Sequence, residues 1–167
     1  TLVIGEGVDA SSSTNSGDVF DGGAGTDTLT STQALANAQA AVTTVSNFEV
    51  LNISDLHNGA ITPGNFQTGL STVQLAAGFN AGTVNFATGG GTINLTGTTA
   101  GAGALTVVAA GDATTDTVTI DNNTDDLNAF GGQAITATEV ETLIIDTTGV
   151  DGTDADTTSG LANTIGA

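Results

Sequence analysis

The stretch from Ser71 to Asp121 reads STVQLAAGFNAGTVNFATGGGTINLTGTTAGAGALTVVAAGDATTDTVTID. Five short blocks of alternating apolar and polar residues run through it: STVQLAA (71–77), GTVNFAT (82–88), GTINLTG (91–97), ALTVVAA (104–110) and DTVTID (116–121). Such alternation marks strands with one buried face. Their centres fall near positions 74, 85, 94, 107 and 119, at short and nearly even steps. Steps this short leave no room for crossover helices, which take about a dozen residues or more. Two all-β architectures remain: a β-sandwich of antiparallel hairpins and a β-solenoid in which each coil adds short strands and turns. The regular spacing, the Gly-rich corners and the Thr- and Asn-rich strand flanks favour a solenoid-like stack, where like residues form ladders.

The same signal extends outward to TLVIG (1–5), DTLT (27–30), FEVLNIS (48–54) and ETLIIDT (141–147). One segment departs from it. STQALANAQAAVTT (31–44) is rich in Ala, the best helix former, and predicts one short helix near 32–44 with Ser31 or Thr32 as its N-cap. ITPGNFQTG (61–69) holds the single Pro and reads as a turn or a single helical turn.

An internal repeat is also legible. TDTLT (26–30) returns as TDTVT (115–119), and Glu49-Val-Leu51-Asn-Ile53 returns as Glu141-Thr-Leu143-Ile-Ile145. The connector from Asp27 to Glu49 is nearly as long as the one from Asp116 to Glu141. Two matches in the same order at nearly the same offset point to a diverged duplication, about 15–58 and 110–150, within a single β-rich module spanning 1–167. Each TDTxT strand is expected beside its own ExLxI strand. With no N-terminal Met or signal peptide, the module reads as a segment of a longer repetitive chain.

Composition narrows the function. The 167 residues include 18 Asp and Glu, one His, and no Lys or Arg, for a net charge of −18. Every carboxylate must therefore be solvated, hydrogen-bonded or bound to a cation. No nucleic-acid partner is expected, because phosphate binding relies on Lys and Arg. Anionic membrane surfaces are disfavoured for the same reason, and no apolar run approaches the ~20 residues of a membrane-spanning helix. The absence of Cys removes disulfides and thiolate metal sites. A core must come from Val, Ile, Leu and six Phe, which suits narrow, layered β interiors.

The acidic residues gather in three zones. In DGGAGTDTL (21–29), residues 22–29 fit the pattern G-G-x-G-x-D-x-U of calcium-binding β-rolls. Gly22, Gly23 and Gly25 let the backbone turn and aim carbonyls inward, Asp27 adds a carboxylate, and Asp18 and Asp21 stand close by. Calcium takes about six to eight hard oxygens, and this turn supplies about three by itself. The second zone, 111–126, holds Asp112, Asp116, Asp121 and Asp125; it lacks the Gly and terminal Glu of an EF-hand. The third, 146–158, holds Asp146, Asp151 and Asp154. A divalent ion between such carboxylates turns mutual repulsion into a cross-link. The plain alternative at each zone is a solvated turn.

No catalytic constellation emerges. Glu49 and Glu141 fall in the predicted strands, where each is expected to hold a backbone amide or a calcium in its own half rather than to act as an acid/base pair. His57, in DLHNG, is expected on the surface of a turn. The chain is read as a non-enzyme.

In GDVFDGGAGTDTLT (17–30), NFEVLNI (47–53) and TGLSTVQL (68–75), and in its Thr-, Ala-, Gly-, Asn- and Asp-rich, Cys-free composition, the chain resembles bacterial RTX-type surface proteins. The likeness is greatest to calcium-dependent surface-layer (S-layer) proteins of Gram-negative bacteria and related secreted matrix proteins. The resemblance implies export by a type I pathway, an extracellular location and calcium-dependent folding. It also implies assembly with copies of itself into a sheet or a biofilm-matrix filament, with cell-surface polysaccharide as a further partner. By the motif, Gly22, Gly23, Gly25 and Asp27 carry over as a calcium turn. Such β-rolls stack several nonapeptides, whereas this chain has one clear copy. A tandem calcium-dependent adhesin domain binding a glycan or cell surface is the alternative, and a surface-binding solenoid using Thr ladders is a third reading.

Overall fold

The computed structural model describes residues 2–3, 19–39, 44–97, 103–111, 114–124, 133–146 and 163–166. The chain forms a β-solenoid of about five turns. Its strands are β1 (Leu2–Val3), β2 (Val19–Asp21), β3 (Thr28–Ser31), β4 (Thr44–Ser46), β5 (Val50–Ile53), β6 (His57–Ile61) and β7 (Thr72–Leu75). They continue with β8 (Phe79–Phe86), β9 (Gly90–Leu95), β10 (Leu105–Ala109), β11 (Thr117–Asn122), β12 (Ile135–Thr138), β13 (Thr142–Asp146) and β14 (Asn163–Gly166). One sheet has the order β1-β3-β5-β7-β9-β11-β13, a second β14-β12-β10-β8-β6, and β2 pairs with β4. All of these pairings are parallel, which rules out the sandwich of hairpins.

The short strand spacing follows from this winding. From β7 onward, successive strands fall alternately in the seven-stranded and the five-stranded sheet, so each coil needs two strands and two corners. Leu29, Leu51, Val73, Ile93, Ile120 and Ile145 occupy one register row, one residue from each of β3, β5, β7, β9, β11 and β13. The first five are fully buried. Facing them from the five-stranded sheet is the row Ile61, Val84, Val107 and Ala137. Because side chains alternate along a strand, every second residue joins this core and the rest face out. Burying apolar surface at ~25 cal/mol per Å² makes these stacked rows the main stabilising term.

The outward rows are ladders. Thr30, Asn52, Gln74, Asn94, Asp121 and Asp146 align on one sheet. Asn52 Nδ2 donates to Thr30 Oγ1 at 3.2 Å, and Gln74 Nε2 donates to Thr96 Oγ1 at 3.2 Å. On the other sheet the row is Ala60, Thr83, Thr106 and Thr136.

Every sequence-predicted strand exists. The expected helix is present as α1, which covers Gln33–Gln39; 40–43 lie outside the described residues, and Thr44 belongs to β4 rather than to the helix. Ser31 is not its N-cap but the last residue of β3, and Ala36 N donates to Thr32 O at 2.8 Å. Pro63–Asn65 form a single 3₁₀ turn, with Pro at its start where no amide is required. Strands β2, β4, β6, β12 and β14 lie outside the predicted set.

Candidate functional site

The first acidic corner runs from β2 into β3. Gly23 and Gly25 have φ of 85° and 121°, conformations that cost a side-chain-bearing residue energy. Gly22 lies against the carbonyl of Asn47 in the next coil, where a Cβ would collide. Asp21 Oδ1 accepts from Gly23 N at 3.0 Å and from Asn47 Nδ2 at 2.7 Å. The Asn47 bond, then the Gly23 bond, hold the Asp21 carboxyl below its usual pKa. Asp27 N donates to Glu49 Oε2 at 2.7 Å, while Asp27 O accepts from Glu49 N at 3.0 Å and Val50 N at 3.1 Å. Leu29 then turns into the core, fully buried.

The second corner repeats this arrangement. Asp116 N donates to Glu141 Oε2 at 2.8 Å, and Asp116 O accepts from Thr142 N at 3.0 Å. The register places Leu29 beside Leu51 and Val118 beside Leu143. Each TDTxT strand thus lies beside its ExLxI strand, as the repeat predicts. The two glutamates stand one position before their strands rather than inside them, and each takes a backbone amide of the preceding coil. A carboxylate accepting a main-chain N–H forms a stronger bond than a neutral acceptor. These acids act as clamps between coils.

Depth separates the corners. Asp27 is half-buried; Asp116 is fully buried. Asp116 Oδ1 accepts from Gly89 N of the preceding coil at 2.5 Å, and Oδ2 is buried without a hydrogen-bond partner. A further acidic pair lies on the outer face. Asp121 and Asp146 match in register on β11 and β13, and Asp121 Oδ2 accepts from Asn123 Nδ2 at 2.8 Å. Asp18, Asp112, Asp125, Asp151 and Asp154 lie outside the described residues.

The fit to calcium is partial. Among the described residues no group of three or more carboxylate or His side chains is placed to hold a metal ion. Asp21, Gly22, Gly23, Gly25 and Asp27 do share one corner, but Asp21 Oδ1 and Glu49 Oε2 already accept protein N–H groups. Among the described residues, Asp116 Oδ2 is the buried carboxylate oxygen left without a hydrogen-bond partner, an atom that a cation would satisfy.

His57 overturns its sequence reading. It is a strand residue of β6 and fully buried, with neither ring nitrogen hydrogen-bonded. Burial lowers its pKa to about 4, against the opposing pulls of the Thr83 backbone and the Asp55 carboxylate. The ring fills the space inside Gly82, where any Cβ would strike it. That neighbour belongs to the next coil, so DLHNG alone carries no sign of burial.

Amide side chains also join neighbouring coils, with no local motif to announce them. Gln67 closes a two-way bond with Phe48: Phe48 N donates to Oε1 at 2.9 Å, and Nε2 donates to Phe48 O at 2.9 Å. On the outer face of the five-stranded sheet, a shallow hollow of about 430 Å³ is lined by Gly59, Ala60, Gly82, Thr83, Ala104 and Thr106. Its lining holds no ionisable side chain. No helix is long and apolar enough to cross a membrane among the described residues. No family model, curated protein or solved structure matches the chain.

Proposed function

We propose that this chain is an extracellular structural module, stabilised by calcium, that assembles with copies of itself into a surface layer or a biofilm-matrix filament. The observation that carries the reading is the parallel stack itself. Coils of similar length repeat along one axis, and their carboxylates serve as clamps between coils rather than as a reactive cluster. A quasi-one-dimensional stack, in which each coil contacts only its neighbours, suits a spacer or a scaffold. Calcium supplies the positive charge that a chain with 18 acids and no Lys or Arg lacks, with Asp116 Oδ2 and the Asp21–Asp27 turn as the first atoms it would engage. Secretion by a type I pathway follows from the RTX resemblance.

The alternative, a tandem calcium-dependent adhesin domain, draws support from the hollow beside Thr83 and Thr106, whose hydroxyls suit a glycan. Negative-stain microscopy of purified protein with calcium and with chelator separates the two. A scaffold gives sheets or filaments that dissolve on chelation. An adhesin stays monomeric in both and binds polysaccharide. Monomers that ignore both calcium and polysaccharide would contradict either reading.

A further inference from the structure

We infer that His57 is an acid-operated latch on α1: a proton taken up by its ring drives the ring out of the stack, and the segment 55–60 then lets the helix go while the later coils stay wound. The latch needs neither calcium nor assembly. Gln33, the first residue of α1, is gripped on both sides of the ring. Its N donates to Asp55 Oδ1 at 2.8 Å, and its Oε1 accepts from Asn58 N at 2.8 Å. Ala60 O accepts from Asn37 Nδ2 at 3.0 Å and from Gln33 Nε2 at 3.5 Å. Gln33 is itself buried, an uncommon place for a glutamine unless its amide is used. A movement of the backbone around His57 therefore breaks the bonds that hold the helix.

The ring at the centre of this grip is enclosed but not bonded. It is fully buried, and neither Nδ1 nor Nε2 has a hydrogen-bond partner. A neutral imidazole carries one N–H donor, and an imidazolium carries two. A charge buried without partners is costly, so the protonated ring must reach water. The way out is short. Gly82 lies against the ring and also lines the hollow on the outer face, so one layer of backbone parts the ring from solvent. The ladder is interrupted at the same place, because the register of β6 on β8 shifts between His57 and Asn58.

Among the described residues, Asp55 is the charged group that acts on the ring, and its pull does not offset burial. No titratable side chain lies on β3, β5, β7, β8, β9, β10 or α1. The imidazolium in turn attracts Asp55, the carboxylate that holds Gln33 N, and so loosens the grip further. The opening is local because α1 packs on β6, and each coil of a stack leans only on its neighbours. The ring titrates at about 4 when enclosed and at 6.5 when released. Within that window each pH unit lost favours the released form about tenfold.

The test is hydrogen exchange of the whole chain across this pH range, each amide's rate taken relative to an unstructured chain at the same pH. The amides followed are Gln33, Ala36 and Asn58, with Val107 of β10 as the reference for the later coils. The first three are expected to be less protected than Val107 at every pH, because they exchange through the smaller opening. Their protection is expected to hold above about pH 6.5 and to fall about tenfold per pH unit below it, about a hundredfold by pH 4.5. That onset identifies the group, since the chain has one His. His57→Leu and, as a second variant of different shape, His57→Gln are each expected to remove the fall. Asp55→Asn is expected to lower the protection of Gln33 throughout and to keep the fall. Protection at Gln33, Ala36 and Asn58 that does not change with pH would overturn the inference. So would protection equal to that of Val107 throughout, which would mean that the helix leaves only when the whole chain unfolds. A fall that survives in a folded His57 variant, or that disappears in Asp55→Asn, would overturn it as well. If neither His57 variant folds, the unaltered chain decides by the same two criteria.

Discussion

At the Asp27 corner the glutamate of the next coil accepts the aspartate amide at 2.7 Å, and at the Asp116 corner the corresponding bond measures 2.8 Å. The main-chain partners correspond as well. Yet the Asp27 side chain is half-buried, whereas Asp116 is fully enclosed, reaches back to Gly89 and keeps one oxygen without a partner. The same local sequence, TDTxT, builds the same clamp in both places. What differs is how closely the neighbouring coils cover it. β3 and β11 each have a strand on both sides, but at the Asp116 corner Gly89 of the preceding coil reaches the carboxylate itself. In a solenoid, then, a motif fixes the bond and its place along the axis fixes the dielectric around it. Low dielectric strengthens a satisfied hydrogen bond and raises the cost of an unsatisfied one.

The largest effect expected from this contrast involves His57, a second ionisable group that is enclosed in the stack among the described residues. Its pKa is about 4 in the folded chain and 6.5 in the unfolded one. Between those values the unfolded chain takes up a proton that the folded chain refuses. Stability is therefore full above about pH 6.5, falls as the pH drops toward 4, and loses up to about 3 kcal/mol from this residue alone. Urea unfolding across that window should show the slope, and His57→Leu should flatten it. An unchanged slope in the variant would mean that the ring is not held neutral by burial.

Next comes the comparison of the two aspartates. Asp116→Ala removes the acceptor of Gly89 N and should cost about 2 kcal/mol. Asp27→Ala, at the shallower corner, should cost less than about 1 kcal/mol. Equal losses in chemical denaturation would erase the role assigned to depth. Smaller still is the effect of weakening the clamp without removing it. Glu141→Gln keeps an oxygen for Asp116 N but loses the charge, for about 1 kcal/mol. Glu49→Gln should cost roughly half as much, because its bond is exposed to solvent. A thermal melt of the pair in one buffer is enough to rank them.

These corners also show how much the amino-acid sequence discloses. The predicted strands carry Val, Ile, Leu and Thr in alternation, a pattern that suits a half-buried strand. The Asp–Glu pairing was legible because the TDTxT and ExLxI motifs each occur twice in the same order. β6, HNGAI, was not, since a His and a Gly break the alternation. Its burial pattern depends on Gly82 lending space to the His57 ring. The edge contacts of Gln33 and Asn37 were hidden for a related reason: amides that bond to another coil have no local signature. The solenoid was favoured over the sandwich by spacing, but only parallel pairing decides between them. The acidic zones disclosed a shortage of positive charge and not which atoms would meet it.

Calcium is the element of this account on which most else depends, and thermal unfolding in the presence of calcium and of chelator tests it most directly. An ion that binds only the native chain stabilises it by mass action, about 2.7 kcal/mol at a hundredfold excess over its dissociation constant. The account predicts a saturable rise of several degrees or more with calcium, abolished by chelator, not reproduced by matched sodium chloride and reduced in Asp116→Asn. A melting temperature that responds to calcium no more than to sodium at equal ionic strength would contradict it.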